Sequence, residues 1–219
     1  MKILVSILSA NFEPFITLEQ GIRETWLMND HPEIEKIFYY GNHDKIELIG
    51  DKLFVDSPEG LMNVGHKTLK MFDFVSKNFS FDYLYRTNSS SYIDLNRLYE
   101  FIINKPRTQF YSAVIGNYNE IKFGSGSGYF LSKDLVDLVL KNKMMWNHEF
   151  IDDVSLGKFL TDKDVQIFQA ERFDVTPSNI HKIDIDYYHY RVKQEDDRNK
   201  DVQMMKLIHK LKENIKVTI

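Results

Sequence analysis

Lys2-Ile3-Leu4-Val5-Ser6-Ile7-Leu8-Ser9 begins the chain with an almost unbroken apolar run. A strand in a parallel sheet reads this way, because helices cover both of its faces. Beyond it the period changes. Phe15, Leu18, Ile22 and Trp26 recur at helical spacing, with Thr17 and Gln20 as a capping box. Pro32 closes that segment, and Ile34 to Tyr40 reads as a second strand ended by Gly41-Asn42. Lys52 to Val55 is a short third strand. Leu61, Val64, Thr68, Met71, Phe72 and Val75 mark a second helix, and Asp82 to Thr87 a fourth strand broken by Asn88-Ser89-Ser90-Ser91.

The same alternation continues. Leu95, Leu98 and Ile102 predict a short helix, and Tyr111 to Ile115 a strand. Gly124-Ser125-Gly126-Ser127-Gly128 reads as a flexible turn, with a strand at Tyr129-Phe130-Leu131 behind it. Ser132 is placed to cap a helix carrying Leu135, Val136, Leu138 and Val139. A helix over Asp152–Leu160, a strand over Val165–Gln169 and an amphipathic helix over about 198–216 complete the chain. On the last of these, Met204, Ile208, Leu211 and Ile215 share one face. Strands alternating with helices predict an α/β fold with a mostly parallel central sheet flanked by helices, in one domain over residues 1–219. Ligands of such sheets bind at the carboxyl ends of the strands, which singles out residues 9–14, 56–63, 87–94 and 123–128.

Composition narrows the function. Of 219 residues, 43% are hydrophobic and 27% charged, which excludes a disordered chain. Net charge is −4, so there is no global basic field for nucleic acid. Cysteine is absent, which removes disulfides, thiolate catalysis and Cys-held zinc and suits a reducing compartment. No stretch approaches the ~20 apolar residues of a membrane span, and the apolar start is too short for a signal peptide. Residues 181–219 hold nine Lys and Arg against seven Asp and Glu, a charge of +2, which leaves −6 on residues 1–180. A basic tail on an acidic body suits an anionic ligand near that tail, and equally a solvated helix face.

Four segments in order resemble inverting β-1,3-glycosyltransferases of the Fringe and β-1,3-galactosyltransferase type. Gly21-Ile22-Arg23-Glu24-Thr25-Trp26 resembles their Ile-Arg-x-Thr-Trp helix. Asp56 to Thr68, with Asn63 and Lys67-Thr68, resembles their Asp-x-Tyr-x-Asn-Leu-Thr-x-Lys-Thr stretch. Phe123 to Ser132 resembles Ser-Gly-Gly-Gly-Tyr-Val-Leu-Ser, and Asp152-Asp153-Val154-Ser155-Leu156-Gly157 resembles the Glu/Asp-Asp-Val-x-x-Gly signature. The resemblance implies a GT-A fold and a nucleotide-sugar donor, UDP-linked, whose sugar passes with inversion to a glycan or glycolipid acceptor. It places Ser9, Ala10, Asn11, Arg23, Asp56, Lys67, Arg86, Asn88, Ser89 and Ser90 at the donor. Arg23 and Lys67 serve equally as structural links.

One departure bears on the chemistry. The family follows its central strand with an Asp-x-Asp cluster; here that stretch is Arg86-Thr87-Asn88-Ser89-Ser90-Ser91-Tyr92-Ile93-Asp94. Neutral Asn and Ser bind a hard divalent cation poorly. The triplets Asp162/Asp164 and Asp184/Asp186 lie elsewhere and read as surface turns. His189-Tyr190-Arg191-Val192-Lys193 is the candidate substitute, since alternate residues of an extended segment put His189, Arg191 and Lys193 on one face for a diphosphate. The expectation is a transferase that needs no metal; an Mn²⁺ or Mg²⁺ ion on His189 is the alternative, as is a solvated edge strand.

The resemblance assigns the acceptor's base to Asp153, with Asp152 beside it; both also suit a helix start. By the resemblance Ser125, Gly126, Ser127 and Gly128 line the sugar pocket, with Trp146 and His148 placed to join them; Trp146 serves equally as core and His148 as a surface histidine. The alternative function is a module of the same fold that holds nucleotide or glycan without turnover. A nucleotidyltransferase lacks its Gly-rich loop after Ser9. The lack of anchor and cysteines points to a cytoplasmic bacterial or viral enzyme, at most peripheral to a membrane.

Overall fold

The computed structural model describes residues 1–216. Its strands are β1 Ile3–Leu8, β2 Ile34–Tyr40, β3 Glu47–Ile49, β4 Lys52–Phe54, β5 Tyr83–Asn88, β6 Ser91–Ile93, β7 Tyr111–Tyr118, β8 Ile121–Ser132, β9 Ile167–Gln169, β10 Phe173–Asp174 and β11 His189–Arg191. Its helices are α1 Phe15–Arg23, α2 Val64–Asn78, α3 Leu95–Ile102, α4 Lys133–Lys141, α5 Asp152–Thr161 and α6 Asn199–Lys216. Eight strands form the main sheet in the order β3-β4-β2-β1-β5-β8-β7-β9. From β4 through β2 and β1 to β5 the pairing is parallel, whereas β8 runs antiparallel to both β5 and β7. A small sheet, β10-β11-β6, lies beside it.

The period of two in β1 sorts the core. Ile3, Val5 and Ile7 join Ile22, Leu98, Met205 and Ile208 from α1, α3 and α6. Leu4 points the other way, into the cluster of Met71, Phe72, Leu135, Val139 and Leu156 from α2, α4 and α5. Burial on both faces is why the run is apolar throughout. On α6, Met204 and Ile208 are buried and Leu211 half-buried; the side chain of Ile215 lies outside the described residues.

Three local expectations fail. The capping box is absent: α1 starts at Phe15 behind Pro14, so Thr17 sits inside its first turn and its amide donates to Glu13 Oε2. Ser132 precedes α4 but makes no cap bond; its Oγ accepts from the Phe110 amide at 3.0 Å. The glycines of 124–128 form no turn. They lie inside the twelve-residue β8, and the hairpin turns at Asn119 and Glu120, both left-handed with φ of 46° and 68°. The glycines answer another need. A Cβ on Gly126 would lie 2.9 Å from both Arg86 Nη1 and Asp153 Oδ2, and one on Gly128 2.7 Å from His189. They let polar side chains lie against a strand.

Among the described residues no helix is long and apolar enough to cross a membrane. Asp162, Asp164, Asp184 and Asp186 are exposed, as read from the sequence. Helix α5 is seated by Gly157, where a Cβ would lie 2.6 Å from Phe123 Cα and 2.7 Å from the Lys122 carbonyl. Backbone cannot swing aside as a side chain does. Gly157→Ala is therefore expected to lower stability by about 1–3 kcal/mol, read as a shifted urea midpoint; an unchanged midpoint contradicts this packing.

Candidate functional site

The parallel half of the sheet ends in loops that are tied together by one lysine. Lys67, buried on α2, donates to the Ser9 carbonyl at 2.9 Å and pairs with Glu59 Oε2 at 2.6 Å. Glu59 Oε1 accepts from the Gly41 amide at 2.6 Å. The ladder joins the ends of β1 and β2 to the loop before α2. Burial pulls the Lys67 ammonium below its ordinary range, and Glu59 opposes that. Ala10 is buried here; Asn11 is exposed and lines a cavity of about 290 Å³ with Phe12, His43, Phe54 and Glu59. Two residues read onto the donor lie outside this ladder. Arg23 spans α1 to the β3–β4 turn, gripping Asp51 at 2.8 and 3.0 Å and Glu19 at 2.9 Å. Asp56 is exposed and pairs with Lys70.

Arg86 also departs from a ligand-binding role. It is 2% exposed. Its Nη2 meets Asp152 Oδ2 at 2.8 Å, its Nε meets Tyr39 Oη at 3.0 Å, and Nη1 donates to the Gly126 carbonyl. Burial works against its charge, but Asp152, Tyr39 and Tyr129 outweigh burial and hold the guanidinium more firmly protonated than usual. Thr68 Oγ1 completes the set on Asp152 at 3.3 Å. Asp153, the next residue, is only partly covered. Its Oδ2 accepts from the Gly126 amide at 2.8 Å and its Oδ1 from the Val154 amide at 2.9 Å. Burial, then the Asp152 charge, raise its pKa above the ordinary carboxylate value, against those hydrogen bonds and Arg86.

The turn after β5 is folded onto the protein. Asn88 Oδ1 accepts from the Ser90 amide at 3.1 Å, Ser89 Oγ donates to the Leu8 carbonyl at 2.8 Å, and Ser90 Oγ accepts from the Arg198 guanidinium. Strand β11 pairs with β6, which brings His189 and Arg191 beside this turn, and the Val192 amide donates to the Ser90 carbonyl at 2.9 Å. His189 is not the cation expected of it. It is buried, its Nε2 is 3.1 Å from Ser91 Oγ, and burial, then Arg172 and Arg191, hold its pKa well below the ordinary value. It is neutral at pH 7. Arg191 is half-buried and makes no ion pair with a described carboxylate; Lys193 pairs with Glu195 at 2.7 Å.

Two guanidiniums escape a reading of the sequence. Arg172 donates to Ser125 Oγ at 3.1 Å and to Ser127 Oγ, and pairs with Asp174. Arg198 touches Ser90 and pairs with the buried Asp201 at 2.8 Å. Neither lies in a motif or an apolar period; only the tertiary fold brings Arg198 to the turn and Arg172 to the serines of β8. Among the described residues no three His, Asp or Glu side chains are grouped to hold a metal. With amide and hydroxyl oxygens in place of carboxylates, and a guanidinium on Ser90, the turn does not fit a hard divalent cation.

On the far side of Asp153, Trp146 is buried in the core beneath α2, where a Cβ on Gly65 would lie 3.0 Å from its Nε1. Of the two roles open to it from the sequence, core and pocket wall, it takes the first. His148 is exposed, its ring stacked 3.6 Å from that of His66. A cavity of about 190 Å³ opens between Met62, Tyr118, Phe150 and Ile151. A cavity of about 630 Å³ lies at the β7–β8 hairpin and the end of α5, lined by Lys122, Lys158 and Asp162. None of the residues above lines it, so volume alone does not mark the site.

No protein-family model matches the chain. It is 29% identical over 126 residues to the mouse UDP-GalNAc:beta-1,3-N-acetylgalactosaminyltransferase 2, covering 49% of this chain and 25% of that protein. The human protein of that name is 26% identical over 133 residues, covering 52% and 27%. The chain thus spans about a quarter of the length of these curated relatives. Among solved structures, a glycosyltransferase involved in glycosylation of the major capsid of PBCV-1 superposes with a TM-score of 0.54 at 14% identity, covering 93% of this chain and 99% of that one. The mannosyltransferase PcManGT of Pyrobaculum calidifontis, solved with GDP-Man and Mn²⁺, gives 0.51 at 10% identity, covering 77% and 54%. The fold is the GT-A fold of glycosyltransferases.

The Arg86–Asp152 pair is a strong test of this geometry. Arg86→Met strands a buried carboxylate and is expected to cost about 3–5 kcal/mol in urea unfolding. Adding Asp152→Asn removes the stranded charge and restores much of the loss. Additive losses contradict the pairing.

Proposed function

We propose that the chain is an inverting glycosyltransferase that moves a sugar from a nucleotide-sugar donor to a glycan or lipid-linked glycan without a bound metal. One observation carries the reading. Two adjacent carboxylates at the start of α5 stand in unlike environments, one locked to a buried guanidinium and one partly open with a raised pKa. Such a pair divides positioning from proton transfer.

Asp153 is the base. It takes the proton of the acceptor hydroxyl as that oxygen attacks the anomeric carbon. The bond from that carbon to the diphosphate oxygen breaks, and the sugar leaves on the acceptor with inverted configuration. Asp152 is a positioning residue, held by Arg86 and Thr68. The nucleoside sits at the ends of β1, β2 and β4, over Ser9, Ala10 and Asn11 and in the cavity beside Phe12, His43 and Phe54. The curated relatives act on UDP-GalNAc by name, which supports a UDP-linked donor.

Negative charge grows on the departing diphosphate and needs fixed counter-charge. Arg191 and Lys193 supply it, with Arg172 and Arg198 at the serines on either side. Guanidiniums grip phosphate through paired donors, and these stand where neutral side chains replace acids. His189 contributes a neutral ring that braces Ser91. Asn88, Ser89 and Ser90 shape the turn, and Ser125 to Gly128 form the floor beneath the sugar.

Asp153→Asn is expected to lower transfer by roughly 10²–10⁴-fold while calorimetric binding of UDP persists. In the unchanged enzyme the rate should rise with pH through a titration above the ordinary Asp value of 3.8, since only the ionised base accepts a proton. Near-intact turnover in the variant removes Asp153 from this role.

A further inference from the structure

Four large apolar side chains stand in solvent on two short 3₁₀ turns. Leu61 and Met62 lie on the turn 61–63, at 71% and 50% exposure; Met144 and Met145 lie on the turn 143–145, at 92% and 55%. The turns adjoin. Trp146, next to Met145, packs against Gly65, and His148 stacks on His66. Topology puts both at one end of the molecule. Helix α2 crosses from β4 to β5, which lie parallel within one sheet, so the turn ahead of it lies at the carboxyl ends of those strands. Helix α4 starts opposite Tyr83 at the amino end of β5 and runs back, so the turn behind it lies at the carboxyl ends too. The candidate crevice opens at that same end.

We propose that these two turns dock on an anionic lipid surface, with Leu61, Met62, Met144 and Met145 entering the interface. Charge selects the occupant. Lys141 and Lys143 precede the methionines, both exposed, and residues 141–145 and 60–66 contain no acid, while Glu59 ahead of the first turn is paired with Lys67, on a chain whose net charge is −4. Glu149 is the nearest acid along the second loop. Small convex apolar tips beside lysines suit a headgroup layer, which takes side chains singly and rewards positive charge. A second copy suits them poorly, because a two-fold contact through these tips would press like-charged lysine pairs together. Four side chains and two cations give weak, reversible binding that salt reverses. Docked so, the crevice mouth meets an acceptor in the lipid plane. The docking itself does not rest on the catalytic reading, since it is read without turnover.

The full chain is sedimented with phosphatidylcholine vesicles with and without phosphatidylglycerol, at low and high salt, and its oligomeric state is followed by size-exclusion chromatography. Retention on the anionic vesicles only, reversed by salt, is expected. Met144→Ser/Met145→Ser should abolish it, and Lys141→Glu/Lys143→Glu should weaken it on the order of tenfold or more, both with an unchanged melting temperature. Three results overturn the proposal: no retention of the wild type, retention unaffected by either variant, or a wild-type dimer that Met144→Ser/Met145→Ser dissolves.

Discussion

The buried ion pair between Arg86 and Asp152 is the contact on which the site depends. Removing both groups from water is costly, and an isolated pair would scarcely repay it. Here the guanidinium also meets the Tyr39 hydroxyl and the Gly126 carbonyl, and the carboxylate also meets Thr68. Five elements converge on it: β2, β5, β8, α2 and α5. The pair therefore sets where α5 begins, and with it where Asp153 stands. Gly126 is needed at the same spot, because any side chain there would displace the guanidinium or Asp153.

Around that anchor the electrostatics are inverted relative to a metal site. A carboxylate-held ion puts positive charge at the turn after the central strand through acids. In this chain the turn is neutral, Arg198 touches its Ser90, and Arg172 touches Ser125 and Ser127 on β8. Arg198 is half-neutralised by Asp201, and Arg172 by Asp174, whereas Arg191 lacks a described carboxylate. Arg191 is the cation with the most to gain from a phosphate. The burial that makes His189 neutral leaves it a hydrogen-bonding brace rather than a charge.

What was legible in the sequence follows from how local each signal is. The apolar run of β1 and the α2 stripe from Val64 to Val75 are local and appear as read, whereas Leu61, read into that stripe, lies ahead of α2 and is exposed. The division into a parallel half and a mixed half was not legible, since β8 enters the sheet by pairing with residues 41 to 49 positions earlier. Five residues of alternating Gly and Ser read as a turn because flexibility and close approach leave the same composition; only the neighbours Arg86, Asp153 and His189 tell them apart. Arg86, read onto the donor, is buried in an ion pair with Asp152, and Trp146, open between core and pocket wall, is core. Arg172 and Arg198 carry no periodicity or motif.

In the proposed reading one end of the molecule carries a docking surface, a carboxylate base and arginines for the diphosphate. In the proposed mechanism the arginines take the place of a bound ion. Isothermal titration calorimetry of UDP in excess chelator, repeated with Mn²⁺, addresses them directly. Binding that is unchanged by the ion and lost in Arg191→Ala is the predicted outcome. Binding that appears only when Mn²⁺ is added contradicts it.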